Sequence, residues 1–285
     1  MPELPEVETA ARNLRRWTAR RRITAVHVAS AAQRILRPAH ARDLRALVGA
    51  RFQDVKRVGK HLLLTLEGTK TPIGIWSHLG MTGKWLRREK QAAAPAPTRI
   101  HLDLDDGSRL HYVDQRMFGR FRLVKRDRFD DLPELRALGP DPLNDGIDVA
   151  TFHAGLQATA LPIKVALLDQ HRLAGVGNIQ ASEALHRAAL DPRRASRSLT
   201  KTEAARMARA ILRSIQFTLS TFVATGADND ADIAYVEEAG TTNPFVVYGR
   251  AGAPCPRCRK RRAAGVIRRI VQAQRATFFC PDCQH

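Results

Sequence analysis

Pro2-Glu-Leu-Pro-Glu-Val-Glu-Thr9, running on into Ala-Ala-Arg-Asn-Leu14, sets the first element of the fold. Proline is tolerated in a first helical turn, where its missing N–H would lack a partner anyway, and acids there meet the positive end of the helix dipole. Val7, Ala10, Ala11 and Leu14 recur at helical spacing, so the chain opens on a helix with one buried stripe. Strand-like runs follow. Leu62, Leu64 and Leu66 share one side of a strand, Leu102 and Leu104 alternate with His101, Asp103 and Asp105, and Asp106-Gly107 marks a hairpin into Leu110, Tyr112 and Val113. A helix leading a β-rich domain is expected to about residue 125, with residues 91–98 as an exposed loop.

Beyond residue 130 the character changes. Residues 131–149 are rich in Asp, Pro and Gly and read as a linker. Thr200 with Glu203 forms a capping box, and Met207, Ile211, Ile215, Leu219 and Phe222 predict a helix to about Ala224, ended by Gly226. The acidic stretch from Ala227 to Thr242 reads as a mobile loop. The division expected is 1–130, a linker at 131–149, a helical domain at 150–242 and a cysteine-bearing module at 243–285, an α+β multidomain protein.

Cys255-x2-Cys258 and Cys280-x2-Cys283 are separated by twenty-one residues. Two such knuckles present four sulfurs, the donor set of a structural zinc site whose tetrahedral shell leaves no open position. One structural Zn2+ is the expected cofactor. Lys plus Arg number 47 against 28 acids, a net charge of +19, which excludes small anionic metabolism as the default and points to a polyanion. Nine arginines and no acid lie between Thr9 and Arg42, and nine bases against one acid lie from Tyr248 to His285. No apolar run approaches the ~18 residues of a spanning helix. Glu3, Glu6 and Glu8 precede any base, the wrong start for a signal peptide, so a cytoplasmic, nucleoid-associated protein of bacterial type is expected.

Pro2 is the first candidate for chemistry. Freed of Met1 it is a secondary amine with a pKa near ~8 against ~10.4 for lysine, able to attack an electrophilic carbon and form an iminium. The bland alternative is a proline that merely follows an initiator Met. Lys60 taken alone is a solvated cation, Met81 and Phe118 are core residues of a β domain, and Gly175-Val-Gly-Asn178 is an interhelical turn with Asn178 as the N-cap of the helix that follows.

The opening Pro2–Thr9 resembles the N-terminus of formamidopyrimidine-DNA glycosylases, in the wider family shared with endonuclease VIII. So do Gly59-Lys60-His-Leu-Leu-Leu64, His78-Leu-Gly-Met-Thr-Gly83, Arg116-Met-Phe-Gly119, Gly175-Val-Gly-Asn-Ile179 and Gln274-Arg-Ala-Thr-Phe-Phe-Cys280. The resemblance implies a helix-fronted β-sandwich, a helix–two-turn–helix domain and a four-cysteine zinc-finger hairpin, with double-stranded DNA carrying damaged bases or abasic sites in the cleft as partner. It implies Pro2 as nucleophile at C1′ and Glu3 as the acid that opens the deoxyribose, with Glu6 either positioning the proline or compensating the helix terminus. Lys60 would sit on the lesion's phosphate. Met81, Arg116 and Phe118 would fill the void left by the extruded nucleotide. His78, Arg99, Lys164, Asn178 and Arg275 would contact the DNA backbone, Arg275 also assisting elimination.

Three departures stand out. The gap between the cysteine pairs is about five residues longer than is usual in that family, and the surplus lies within Arg259–Arg269, which could lengthen the hairpin. Gln180 stands where tyrosine is common. Thr225-Gly-Ala-Asp-Asn-Asp-Ala-Asp232 replaces a Gly-Gly-Thr-Thr loop start, which leaves the preferred base open. The activity expected is a bifunctional glycosylase and abasic-site lyase for 8-oxoguanine and formamidopyrimidines, without membrane or obligate protein partner. The alternatives are an endonuclease VIII-like preference for oxidised pyrimidines and a non-catalytic damaged-DNA-binding protein.

Overall fold

The computed structural model describes residues 2–69, 73–125, 128–227, 232–238 and 240–285. They form two compact units, Met1–Arg136 with Phe222–Ala239, and Ala137–Thr221 with Gly240–His285.

In the first unit α1 (Leu4–Thr18) starts where the prolines and acids require, with Pro5 in its first turn. Its stripe of Val7, Ala10, Ala11 and Leu14 is fully buried in the unit's core. Behind it lie two four-stranded antiparallel sheets, a β-sandwich. One has the order β1 (Ile23–Val28), β6 (Thr98–Leu104), β7 (Ser108–Val113), β5 (Lys84–Glu89); the other is β2 (Arg51–Val58), β3 (His61–Glu67), β4 (Ile73–His78), β8 (Arg120–Lys125). Leu62, Leu64 and Leu66 on β3 all reach zero exposure, the period-2 face that the sequence predicts. The β6–β7 hairpin turns at Asp106-Gly107, where Gly107 takes φ +78° and Asp106 Oδ1 accepts from Ser108 N at 3.0 Å. Short helices α2 (Gln33–Leu36) and α3 (Pro133–Arg136) complete this unit, so the linker expected at 131–149 carries a helical turn.

The acidic stretch after residue 226 departs from its sequence reading. Its described residues form neither helix nor strand, yet Ala227, Ile233 and Tyr235 are buried in the first unit's core. Tyr235 donates its hydroxyl to Gly83 O at 2.6 Å, Lys84 pairs with Glu238 at 2.7 Å, and Arg88 with Asp232 at 2.6 Å. Hydropathy averaged over the stretch hides two well-placed apolar side chains. Residues 228–231 and 239 of that loop lie outside the described residues.

The second unit contains α4 (Val149–Gln157), α5 (Ile163–Leu167), α6 (Asn178–Ala188) and α7 (Lys201–Ala224, whose last turn enters the other unit), then α8 (Pro256–Lys260) and the hairpin β9 (Arg268–Gln272) and β10 (Arg275–Phe279). The capping box of α7 is present: Glu203 accepts from Thr200 N at 2.9 Å and Thr200 Oγ1 from Glu203 N at 3.2 Å. Arg194, hydrogen-bonded to the same carboxylate, helps hold Glu203 down at about 2. Gln180 faces α7, accepting from Ser214 Oγ at 2.7 Å and donating to Thr218 Oγ1 at 2.9 Å, so this departure from the family pattern sits between two helices. The hairpin strands have five residues each. Seven residues, 261–267, join α8 to β9. No helix among the described residues is long and apolar enough to cross a membrane.

Candidate active site

Pro2 is buried at the start of α1. Glu3 and Glu6 behind it form a capping box in which the Glu3 N–H donates to Glu6 Oε2 at 2.9 Å. Both carboxyls are enclosed, Glu3 at 1% and Glu6 at 5% exposure. Burial, then the neighbouring Glu3, pushes Glu6 up to about 7, so near neutral pH it holds a proton about half the time. An acidic pair with one carboxyl near half-protonation can share and pass protons.

Lys60 is half-buried in the two-residue turn joining β2 to β3, not on the strand itself; Gly59 before it supplies φ +57°. Its cation, after burial, helps hold His78 down at about 4, with Arg120 adding to the effect. His61 is lower still, at about 3, from burial, then His78 and Lys60. Both rings are therefore neutral at pH 7. His78 Nδ1 accepts from Gly80 N at 3.1 Å and His61 Nδ1 from Trp76 Nε1 at 3.2 Å, which leaves the proton of each ring on Nε2 as a donor.

Two loops carry the apolar and guanidinium candidates. Met81 is half-buried between β4 and β5, and Phe118 is 39% exposed between β7 and β8 with Arg116 over its ring at 4.8 Å. Asp114, with zero exposure, ties the loops together: it accepts from Thr82 Oγ1 at 2.6 Å and Gly119 N at 2.8 Å. Gly80 lies so close to the Phe118–Gly119 backbone that a Cβ there would collide with it. Arg99 turns towards this frame, its Nε donating to Asp114 O at 2.8 Å. Sequence reasoning missed Asp114 and Tyr235, which belong to no motif, and it gave Thr82 no role although that residue lies inside a quoted one.

In the second unit, Gly177 caps α6 and Asn178 is its first residue, which corrects the cap predicted from the sequence. Gln170 braces the preceding turn, accepting from Gly175 N and donating to Val176 O, each at 2.9 Å. Lys164 is fully buried and donates to Asn178 Oδ1, while Asn178 Nδ2 donates to Ala276 O of β10 at 2.9 Å. A lysine expected on a phosphate thus stands behind the asparagine. Arg275 opens β10 and is exposed; the turn before it holds Ala273 and Gln274 at φ +46° and +60°. Glu183, also missed, gathers Val246 N, Val247 N and Tyr248 N at 2.8–3.1 Å and so fixes the entry to the finger.

The four cysteines are buried with all sulfurs within 4.8 Å of one another, and Cys255–Cys283 and Cys258–Cys280 stand at 3.7 Å. A tetrahedral ion with ~2.3 Å metal–sulfur bonds needs sulfurs ~3.8 Å apart, so the donors fit one. Burial and the crowded sulfurs push the Cys280 thiol up and that of Cys283 up to about 11, so a cation is required to hold them as thiolates. His27, His101 and Asp103 also cluster, but Asp103 is already held by Arg109 at 2.6 Å and Lys90 at 3.1 Å, an environment hostile to a second cation.

Residues 1–121 match the formamidopyrimidine-DNA glycosylase N-terminal domain, and residues 138–228 match the helix–two-turn–helix domain described for the same enzymes. The chain is 42% identical over 289 residues to formamidopyrimidine-DNA glycosylase of Thermus thermophilus, covering 100% of this chain and 98% of that one. It is 38% identical to the Acidiphilium cryptum enzyme over the full length of both. Among solved structures it resembles the Lactococcus lactis enzyme bound to abasic-site DNA (TM-score 0.84, 26% identity, 99% of each chain) and to N7-benzyl-formamidopyrimidine DNA (0.85, 26%, 100% of each).

Proposed function

The chain belongs to the formamidopyrimidine-DNA glycosylase family, and we propose that Pro2, with its enclosed acidic pair, is the nucleophile of its reaction. The protein is a DNA glycosylase with abasic-site lyase activity that removes oxidised bases in base-excision repair. Its partner is DNA containing damaged bases or abasic sites. 8-Oxoguanine and formamidopyrimidines are the preferred lesions, cytoplasm the compartment, and Zn2+ the single ion held by Cys255, Cys258, Cys280 and Cys283. The domain plan proposed is a catalytic domain to about residue 130, with the returning segment Phe222–Ala239 counted in its compact unit, a helical DNA-binding domain from 150, and the finger from 243.

The Pro2 nitrogen attacks C1′ as the N-glycosidic bond breaks and the base departs with a proton. Glu3 protonates the ring oxygen as the sugar opens, leaving an iminium. Loss of the 3′ phosphate by β-elimination and the 5′ phosphate by δ-elimination nicks the strand, and water releases the proline. Glu6 orients Glu3 through its backbone N–H and exchanges protons near neutrality. Lys60 and the neutral His78 Nε2–H meet the lesion phosphate. Asn178, oriented by Lys164, and Arg275 grip the backbone. Met81, Phe118 and Arg116 fill the emptied stack; Arg99 braces their loop from behind. The observation that carries this reading is a buried Pro2 that precedes two enclosed carboxyls, Glu3 and Glu6, in a chain of +19 net charge. Borohydride trapping on matched duplexes carrying 8-oxoguanine, an oxidised pyrimidine or an abasic site tests it. A crosslink strongest on the purine lesion is expected; equal or stronger trapping on the pyrimidine would overturn the lesion preference.

Two consequences concern single residues. Asp114→Ala frees both void-filling loops at once, so excision of 8-oxoguanine should fall about 10–100-fold at single turnover, while cleavage of a preformed abasic site, which needs less precise wedging, falls less. Equal losses on both substrates would remove the loops from base extrusion. Glu6 has a folded pKa above its unfolded 4.5, so the neutral form favours folding. That advantage is complete below about pH 4.5 and is lost as pH rises through about 7, a difference of ~3 kcal/mol. Glu6→Gln should therefore raise the melting temperature by roughly 5–10 °C near pH 8 and by much less near pH 5; the same rise at both would show that Glu6 does not titrate there.

A further inference from the structure

The end of α8 and the start of the loop that follows it form a basic knob whose place in the fold gives it a use. Arg259, Lys260, Arg261 and Arg262 are all exposed, and among the described residues none of their side chains makes a hydrogen bond or an ion pair. The only acid from Tyr248 to His285 is Asp282. Their backbone, in contrast, is pinned to the cysteine cluster. Arg259 N donates to Cys255 O at 3.0 Å, Arg261 N and Ala263 N to Cys258 O at 2.8 and 2.9 Å, and Cys255 N to Gly265 O at 2.8 Å. Gly265 lies against Cys258 Sγ and Cys280 Sγ so closely that no Cβ fits, which fixes the loop's return. Arg262 is held at φ +57°, a conformation that glycine would adopt without strain. Four charges on a rigid mount lose little freedom on meeting a fixed array of anions.

The hairpin sets their distance from Arg275. Cys258 and Cys280 adjoin at 3.7 Å, so the knob lies at the hairpin's base, after Phe279, while Arg275 lies at its tip. Four strand steps of ~3.3 Å separate the two ends, ~13 Å, or about four base pairs along a duplex at ~3.4 Å each. We infer that Arg259, Lys260, Arg261 and Arg262 form a second phosphate-contact surface, engaging duplex DNA about four base pairs or more from the point held by Arg275. The inference rests on the reading of Arg275 as a DNA contact. It lengthens the footprint without adding to the chemistry.

The test is the salt dependence of binding of the full-length, zinc-loaded protein to a duplex of about 30 base pairs with a central abasic-site analogue. Each phosphate contact contributes about 0.9 to the slope of log affinity against log salt. With all four bases changed to serine (R259S, K260S, R261S, R262S), the slope should shrink by about two to four, and affinity near 0.15 M salt should fall roughly 10- to 1000-fold. Changing the three arginines to lysine should retain the slope, since charge and not guanidinium geometry carries the contact. Borohydride trapping at saturating DNA should be unchanged in every variant. A slope within about 0.5 of wild type, with zinc retained, overturns the proposal, as does a loss confined to RNA of equal length. Should the serine variant lose zinc, Lys260→Glu with Arg261→Glu, two exposed side chains, gives the same reading. Failure of the wild-type protein to trap would strike the nucleophile assignment and leave the slope comparison intact.

Discussion

Pro2→Gly should lower borohydride-trapped adduct and strand nicking on an abasic-site duplex by on the order of 1000-fold, while affinity for that duplex stays within about threefold. The separation follows from where the groups lie. Pro2 offers a secondary amine, of which about a tenth is unprotonated near pH 7, against well under a thousandth for a lysine. Its attack yields an iminium that is cationic without further protonation, the electron sink that elimination needs. Glycine keeps an amine but forms an imine that must first gain a proton, and it lacks the ring that fixes the direction of attack. On the reading proposed above, the phosphate grip belongs to other residues: Lys60 and His78 on the sandwich, Asn178 and Arg275 in the second unit. Intact mass supplies the companion test, because retained Met1 would block the proline nitrogen as completely as any substitution. If affinity falls as far as nicking, the separation of chemistry from binding fails.

Local patterns made much of this legible. The α1 stripe, the β3 leucines, the Asp106-Gly107 turn and the Thr200–Glu203 box each depend on residues a few positions apart, and the structure holds all four. The cysteine knuckles are legible for the same reason. What escaped depends on long-range contact. Asp114 reaches Thr82 across 32 positions and Glu183 reaches Val247 across 64, and nothing local distinguishes either acid from a surface one. Tyr235 and Ile233 sit in an acidic stretch whose composition reads as solvated, yet they are core residues because β5 and Gly83 offer partners that composition cannot display. Lys164 differs in kind: the resemblance alone implies a phosphate contact, and in the structure its side chain is buried and donates to Asn178.

Chelation of the metal, or Cys280→Ser, should unfold the finger and weaken binding to abasic-site DNA by on the order of 100-fold near 0.15 M salt. The finger's hydrophobic cluster is small: beside the four cysteines it buries only Val247, Ile267 and Phe278. Without a cation the buried thiols of Cys280 and Cys283 stay protonated and bond nothing strongly. Metal–thiolate bonding is therefore the larger part of what folds the module. The Tyr248–Phe278 edge contact, rings 5.1 Å apart, would be lost with it, so the near-ultraviolet circular dichroism should report the change. Arg275 would lose its strand, and Asn178 would lose the Ala276 carbonyl that orients it. Losing Arg275 together with two or more of the phosphate contacts inferred for Arg259–Arg262, at about fivefold each, accounts for a fall of that order or more. Pro2, Glu3 and Glu6 lie in the first unit, which has its own core, so the metal-free protein should still trap an abasic site when DNA is supplied far above the weakened dissociation constant. Full-strength binding without metal would show that the finger's fold is not what places Arg275 on DNA, and loss of trapping even at saturating DNA would show that the finger takes part in the attack itself.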